Sequence, residues 1–274
     1  MKKLFSAVFA ICFVISAFSV NAESGSIHCY NSEAYSLSDG IVPNAAVVMS
    51  EAAAAKKYPQ SVFDYIAEQM LVQNSNIYVF DRQIATADLY YVFLHIRNSR
   101  PELFFIGNMY NYSTGGAYVF SITPQYNVSG EEYEKAMRFY NSELEKIVKR
   151  IPRSASTIEK ALLAHDYIAD RCSYDMTLSN SDAYTMLVEN KGVCQAYTLL
   201  FTAVMNKLGI DCSYVSSDKA NHIWNAVKLD DGYYYHLDVT WDDPSNAALV
   251  LHNYFLVSTE TVLEGSEDKA DWVS

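Results

Sequence analysis

Glycine and proline are sparse in this chain, at 10 and 6 of 274 residues, while hydrophobic residues make up 50%. A disordered chain is excluded, and the composition is rich enough to build a sizeable core. There is no CxxC pair, which removes the usual spacing of a zinc site or a thioredoxin-like redox centre. Nor is there a glycine-rich phosphate loop or nucleotide motif, so no cofactor and no metal are expected. Basic residues are outnumbered, with Lys and Arg totalling 20 against 32 Asp and Glu, for a net charge of −12. Such an acidic chain is a poor partner for nucleic acid or an anionic membrane surface. Beyond the N-terminus, no apolar stretch reaches spanning length.

What is present begins with that N-terminus. Lys2 and Lys3 precede an apolar run, Leu4 to Val20, and Val20-Asn21-Ala22 follows with small residues where a signal peptidase reads. Residues 1–22 therefore read as a secretory signal peptide. The run is short for an uncleaved anchor, and Cys12 lies inside it rather than at a lipobox-like junction. The expected location is secreted or cell-envelope associated, with no stable membrane insertion after cleavage. Loss of the two lysines would take the net charge from −12 to about −14. Cys29, Cys172, Cys194 and Cys212 remain, an even number that invites a disulfide reading in an exported protein. If one is a nucleophile, at least one of the others is unpaired.

The pattern divides the rest. Residues 23–44 are polar and read as a flexible lead-in. Residues 45–128 form a small mixed α/β block. Val62, Ile66 and Met70 give a helical period, Ile77 to Phe80 a strand, and Ile84 to Ile96 a second amphipathic helix. Leu103 to Ile106 and Ala117 to Ile122 read as strands around a turn-rich Asn111 to Gly116. Residues 129–152 read as a connecting helix, opened by a Ser129–Glu132 capping box. A second box, Ser156 with Glu159, starts a helix with Ile158, Leu162, His165, Ile168 and Cys172 on one side. His165 on that apolar face reads as a hydrogen-bonded core residue rather than a ligand or base.

The chemistry concentrates in 184–244. From Cys194, the residues Ala196, Leu199, Leu200, Ala203, Val204 and Leu208 recur at helical spacing, and Gly209 stands where a C-terminal cap belongs. Cys194 is then a helix N-terminal residue, where the macrodipole and free N–H groups favour a thiolate. A buried structural cysteine is the competing reading on placement alone. Three strands follow. The second carries His222, Trp224 and Ala226 on one face, and the third carries Tyr234, His236, Asp238 and Thr240 on one face. A thiol on a helix beside a hairpin bearing His and Asp is what nucleophilic catalysis needs: thiolate attacks, imidazole shuttles the proton, carboxylate orients the ring. Directly paired residues share a face. A two-residue turn at Asp231-Gly232 would place His222 and Asp238 on opposite faces. A three-residue loop, Asp230 to Gly232, pairs Leu229 with Tyr233 and brings them to one face. The expected hairpin therefore has that loop, with Gly232 at positive φ. His236, sharing the Asp238 face, is a rival base.

Gly192-Val193-Cys194-Gln195, Asn221-His222-Ile223-Trp224-Asn225 and His236-Leu237-Asp238-Val239-Thr240-Trp241-Asp242-Asp243-Pro244 resemble the three catalytic motifs of the bacterial transglutaminase-like superfamily. His165-Asp166-Tyr167-Ile168 and Ser173-Tyr174-Asp175 are similar to its preceding helix and turn, and the resemblance covers residues 153–258. Pro101 to Phe105 is similar to a region that precedes this domain in some exported members. The resemblance implies an α+β fold, a papain/transglutaminase-like core with the nucleophile helix packed on an antiparallel sheet, in a catalytic domain over 153–274. It places Cys194, His222 and Asp238 at the triad positions, with Tyr174, Gln195, Trp224, Asn225, Trp241 and Asp242 as cleft or supporting residues. One departure is Ala196, where many members carry glycine. The backbone N–H of Cys194 is the natural first oxyanion donor.

The function expected is a thiol enzyme acting on amide bonds of a peptide or protein, cell-envelope substrates included, through a Cys194 acyl-thioester. Hydrolysis is preferred to amine transfer because no second substrate site is legible. The other class is a catalytically inactive cell-surface binding or scaffold module of the same fold.

Overall fold

A computed structural model describes residues 51–217, 220–244 and 249–265, together with two short strand segments, Ala10–Ile11 (β1) and Ser24–His28 (β2). The signal-peptide and lead-in expectations otherwise lie outside the described residues. The chain divides into two compact units. One comprises the chain to Arg97 with Phe105–Ser129; the other comprises Asn98–Phe104 and the chain from Gly130.

In the first unit, helices α1 (Glu51–Lys57), α2 (Gln60–Leu71) and α3 (Leu89–Ser99) accompany a five-stranded sheet in the order β1-β2-β4-β5-β3. Its later strands are β3 (Ile77–Tyr78), β4 (Ile106–Gly115) and β5 (Tyr118–Tyr126). Val62, Ile66 and Met70 are buried on α2, as the period requires. The helix expected from Ile84 starts only at Leu89. Ile84 is extended instead: its carbonyl accepts the Val119 amide at 2.8 Å, so sheet pairing overrides helical periodicity there. Leu103 closes a 3-10 turn rather than opening a strand, and the expected turn at Asn111 to Gly116 is strand as far as Gly115.

In the second unit, α4 (Gly130–Val148), α5 (Thr157–Arg171), α6 (Ala183–Glu189) and α7 (Cys194–Leu208) pack with a sheet ordered β10-β9-β8. Those strands are β8 (Cys212–Ser217), β9 (His222–Lys228) and β10 (Tyr234–Leu237). A short parallel pair joins β6 (Ser173–Tyr174) to β7 (Lys191–Gly192), and α8 spans Thr259–Gly265. The helix expected to connect the blocks, α4, buries Tyr140, Leu144 and Ile147 in the core of this unit. The Ser156 box forms in full, with the Glu159 carboxylate accepting from Ser156 N at 2.8 Å and Ser156 Oγ accepting from Glu159 N at 3.3 Å. On α5 the buried side is Ala161, Ala164, His165, Ile168 and Ala169, while Ile158 is exposed.

Helix α7 is not amphipathic. Every residue from Gln195 to Met205 is buried. A helix enclosed on all sides is the central element of its domain, and burying Leu200 or Phe201 stabilises by about 1.5–3 kcal/mol each. Gly209 ends it in the left-handed conformation, φ +70°, at the predicted cap. Among the described residues, no helix is long and apolar enough to cross a membrane.

Candidate active site

The nucleophile position is built by a sharp strand-to-helix turn. Tyr174 pairs with Gly192, Asp175 N donates to Gly192 O at 2.9 Å, and Val193 N donates to Asn180 O at 2.8 Å. The 175–180 loop is held by one carboxylate. Asp175 accepts from the amides of Thr177, Ser179 and Asn180 at 3.0, 3.0 and 3.1 Å, and from the hydroxyls of Thr177 and Ser179 at 2.7 and 2.9 Å. The Thr177 hydroxyl foremost, opposed by burial and aided by these other donors, holds its carboxyl well below the usual range. Sequence reasoning assigned Asp175 only to a turn and missed Asn180; the Asp-x-Thr-x-Ser spacing of a side-chain-capped turn was the available signal. Gly192 is needed for space: a Cβ there would stand 2.5 Å from the Ala196 Cβ.

Cys194 opens α7. Its N-cap, Val193, offers no side-chain acceptor; Ala196 N donates to Val193 O at 2.9 Å, which leaves the amides of Cys194 and Gln195 without a capping side chain and open to an incoming anion. Thr198 Oγ1 lies 2.9 Å from Cys194 O and 3.1 Å from Ile223 O. It ties the first turn of α7 to β9 one residue past His222. Asn225 Nδ2 donates to Thr198 O at 3.2 Å and to Thr202 Oγ1 at 2.9 Å. Asn225 is thus the polar joint between strand and helix.

The hairpin has the register that parity demands. Tyr234 pairs with Lys228 and Leu237 with Asn225, Leu229 N donates to Tyr233 O at 2.9 Å, and Gly232 has φ +85°. The loop is Asp230 to Gly232. His222 and Asp238 consequently meet, with Nε2 2.5 Å from Asp238 Oδ2. Cys194 lies close enough to the His222 ring to favour its protonated form. Burial opposes protonation of this ring, but the Asp238 carboxylate and Cys194 together outweigh it and raise His222 to about 10. Asp238 is further fixed by the Trp241 amide on Oδ1 at 3.1 Å, and its own amide donates to Tyr254 O at 3.0 Å.

The supporting residues separate into three groups. Trp241 is stacked flat on His222, ring centroids 4.6 Å apart at 3°, with Trp224 5.7 Å away on the same imidazole. Trp241 remains 45% exposed, so it both orients the ring and offers an aromatic surface at the site. Tyr174 is half-buried and within electrostatic reach of Cys194; burial first, then the thiol's charge, raises its phenol. Gln195 points away from solvent, with Nε2 donating to Asn98 Oδ1 at 2.6 Å, and Asp242 is fully buried with both oxygens 3.1 Å from Tyr254 N. These last two shape the scaffold. Tyr254, well beyond Asp238 in the chain, carries no sequence signal for its bracing role because it acts through its backbone.

His236 is not a base. Trp224 Nε1 donates to its Nδ1 at 2.9 Å, its Nε2 meets Thr259 Oγ1 at 3.0 Å, and burial lowers its pKa. The other described cysteines, Cys172 and Cys212, are free thiols pushed up to about 12, mainly by burial. Both stay protonated at neutral pH.

The arrangement places a thiol at an uncapped helix N-terminus against an imidazole that a carboxylate orients, which is a geometry suited to acyl transfer through a thioester. No curated protein matches the chain. Among solved structures, a crystal structure of a TGase resembles it with a TM-score of 0.36 at 15% identity, over 52% of this chain and 47% of that one. A Cytophaga hutchinsonii protein described as a cysteine protease gives 0.31 at 16%, over 48% and 56%. The chain thus spans about half the length of these structures. The sequence model of the transglutaminase-like superfamily matches residues 145–239, a segment holding Cys194, His222 and Asp238. Over residues 145–239, then, the chain is similar to the transglutaminase-like superfamily.

Proposed function

We propose that this protein is an exported thiol enzyme that cleaves amide bonds in peptides or proteins, including those of the cell envelope. The observation that carries the reading is His222 held between Asp238 Oδ2, at 2.5 Å, and Cys194. The Cys194 thiolate attacks the amide carbonyl, and the oxyanion is met by the Cys194 N–H at the helix end. His222 gives its proton to the departing amine, leaving an acyl-thioester. Water then attacks, His222 takes a proton from it, and the acid is released with the thiol restored. Hydrolysis is preferred to transfer because water needs no site of its own. The apolar Leu4 to Val20 run supports export.

The test supplies glutamine-bearing and peptide substrates together with a labelled primary amine. The expected result is cleaved or deamidated product without amine incorporation, abolished in Cys194→Ala and reduced by at least about 10³-fold in His222→Ala. Amine incorporation that depends on Cys194 would replace hydrolysis by transfer. Neither product, with a Cys194 that iodoacetamide labels no faster than Cys172 or Cys212, would leave a binding or scaffold module.

A further inference from the structure

A second cluster in the same unit is absorbed by neither the fold nor the proposed chemistry. On α5, His165 Nδ1 lies 2.9 Å from Asp166 Oδ1, and His252 Nε2 approaches the same oxygen at 2.7 Å. The two imidazoles are 5.2 Å apart between centroids. Ligand atoms of His165, Asp166 and His252 all lie within 4.8 Å of one another, and among the described residues no other group of three His, Cys, Asp or Glu does so. Two ring nitrogens aimed at one carboxylate oxygen is a donor set, two imidazoles and a carboxylate, that suits zinc with a fourth position open to water.

The buried end of the cluster points the same way. His165 is wholly inaccessible, and its Nε2 makes no hydrogen bond, although Asp242 Oδ2 lies 3.3 Å off, out of line. A metal on Nδ1 would fix the tautomer. The proton must then sit on Nε2, facing the Asp242 carboxylate, and a small ring rotation completes the carboxylate–histidine–metal relay that tunes and orients metal-bound imidazoles. Asp166 and His252 are 41% and 44% exposed at their side chains, which gives an ion a way in and leaves these two ligands free to adjust. A solvent-facing cleft of about 390 Å³, lined in part by Leu163, Asp166, Tyr167 and Val250, opens beside them. Sequence reading saw no metal site because the ligands are 86 residues apart and belong to no spaced motif.

We propose that His165, Asp166 and His252 bind a divalent transition metal, zinc by the chemistry of the donors, with Asp242 positioning His165. The ion pins the segment around His252 to α5. That segment also carries Tyr254, whose carbonyl accepts the Asp238 amide at 3.0 Å and whose amide meets Asp242. The metal therefore braces the hairpin from behind without touching the thiol.

The test is calorimetric titration of the metal-stripped full chain with Zn²⁺, paired with Co²⁺ absorption to read coordination. One equivalent should bind with the visible bands of a four-coordinate site. Asp166→Asn and His252→Ala, both at exposed positions, should weaken binding more than about 100-fold, and Asp242→Asn by about 10-fold. Cys194→Ala should bind as the wild type does. Amide exchange at Leu251, Tyr254 and Val257 should slow when zinc is added. Absence of binding at millimolar Zn²⁺, equal binding by the His252→Ala and Asp166→Asn chains, or loss of binding in Cys194→Ala would each overturn the site. Binding without slowed exchange would overturn the bracing role.

Discussion

The β4–β5 and β9–β10 hairpins solve the same geometric problem under different constraints. In β4–β5 the register slips twice: Gly115 pairs with Tyr118 and Thr114 with Val119, but Ser113 pairs with Ser121, and a further shift separates Tyr110 from Ile106. The first, a slip of one residue, changes which residues face which side; the second, a slip of two, keeps the facing and bends the strand. In β9–β10 the register is unbroken from Tyr234–Lys228 to Leu237–Asn225, and β8–β9 is equally continuous from Cys212–Val227 to Ser217–His222. The first hairpin contributes core, and bulges let it adapt. The second must deliver an imidazole and a carboxylate from different strands to one point, and a one-residue error would separate them. Strict register is thus the local signature of the site.

Deleting Tyr235, inside β10, tests this most severely. It shifts every later residue of that strand by one against β9, turns Asp238 to the other face, and should lower turnover about 10³–10⁴-fold, the scale of losing the orienting carboxylate. One residue inserted between Gly116 and Ala117 should change turnover by less than about twofold while lowering the melting temperature. Deletion of Tyr235 with turnover within tenfold of wild type would remove Asp238 from the mechanism.

A pH series makes a smaller distinction. His222 titrates near 10 in the folded chain, above the 6.5 of a free imidazole. Its stabilising contribution is therefore complete below about pH 6.5 and is lost as pH rises through 10. The melting-temperature gap between wild type and His222→Gln should shrink steadily over that interval. A gap that stays level would mean the ring gains no such proton affinity. Smallest is the contrast of Gly232→Ala with Gly116→Ala. Their φ angles are +85° and +72°, and an added Cβ meets nothing within 4 Å at either. Both should lose about 1 kcal/mol by chemical denaturation, from backbone strain alone. Turnover should stay within about twofold in both, which would separate register from loop strain; a selective loss in Gly232→Ala would show that loop conformation itself matters.

The parts of the molecule legible in the sequence are those set by local rules. Ser156 with Glu159, the Gly209 cap, the three-residue loop and the shared face of His222 and Asp238 all follow from neighbours a few residues apart. What escaped is non-local. The start of α3 at Leu89 is decided by Ile84 pairing with Val119. The all-round burial of α7 depends on α4, α5 and α6 arriving from elsewhere, so periodicity along α7 alone overstated its exposure. Tyr254 and Asn98 act on Asp238 and Gln195 across long sequence separations, and His252 meets Asp166 in the same way. His236 stays a rival base on sequence alone, because only the fold brings Trp224 and Thr259 to its two nitrogens.

The 2.5 Å approach between a Cβ added at Gly192 and the existing Ala196 methyl makes these two positions one unit of volume. A single-site scan would score position 192 as intolerant, and Ala196→Gly as a loss of about 1 kcal/mol from helix propensity. The first outcome would be a property of the pair. Varied together, they exclude a methyl on both sides of the turn, and a methyl at 192 also requires Met186 Sδ, 3.2 Å away, to give way. For anyone redesigning this thiol's surroundings, the pair is a packing exchange built into the strand-to-helix corner. Moving the methyl from one side to the other is a way to shift the shape of the wall behind Cys194 while leaving its helix, its hydrogen bonds and its charge untouched.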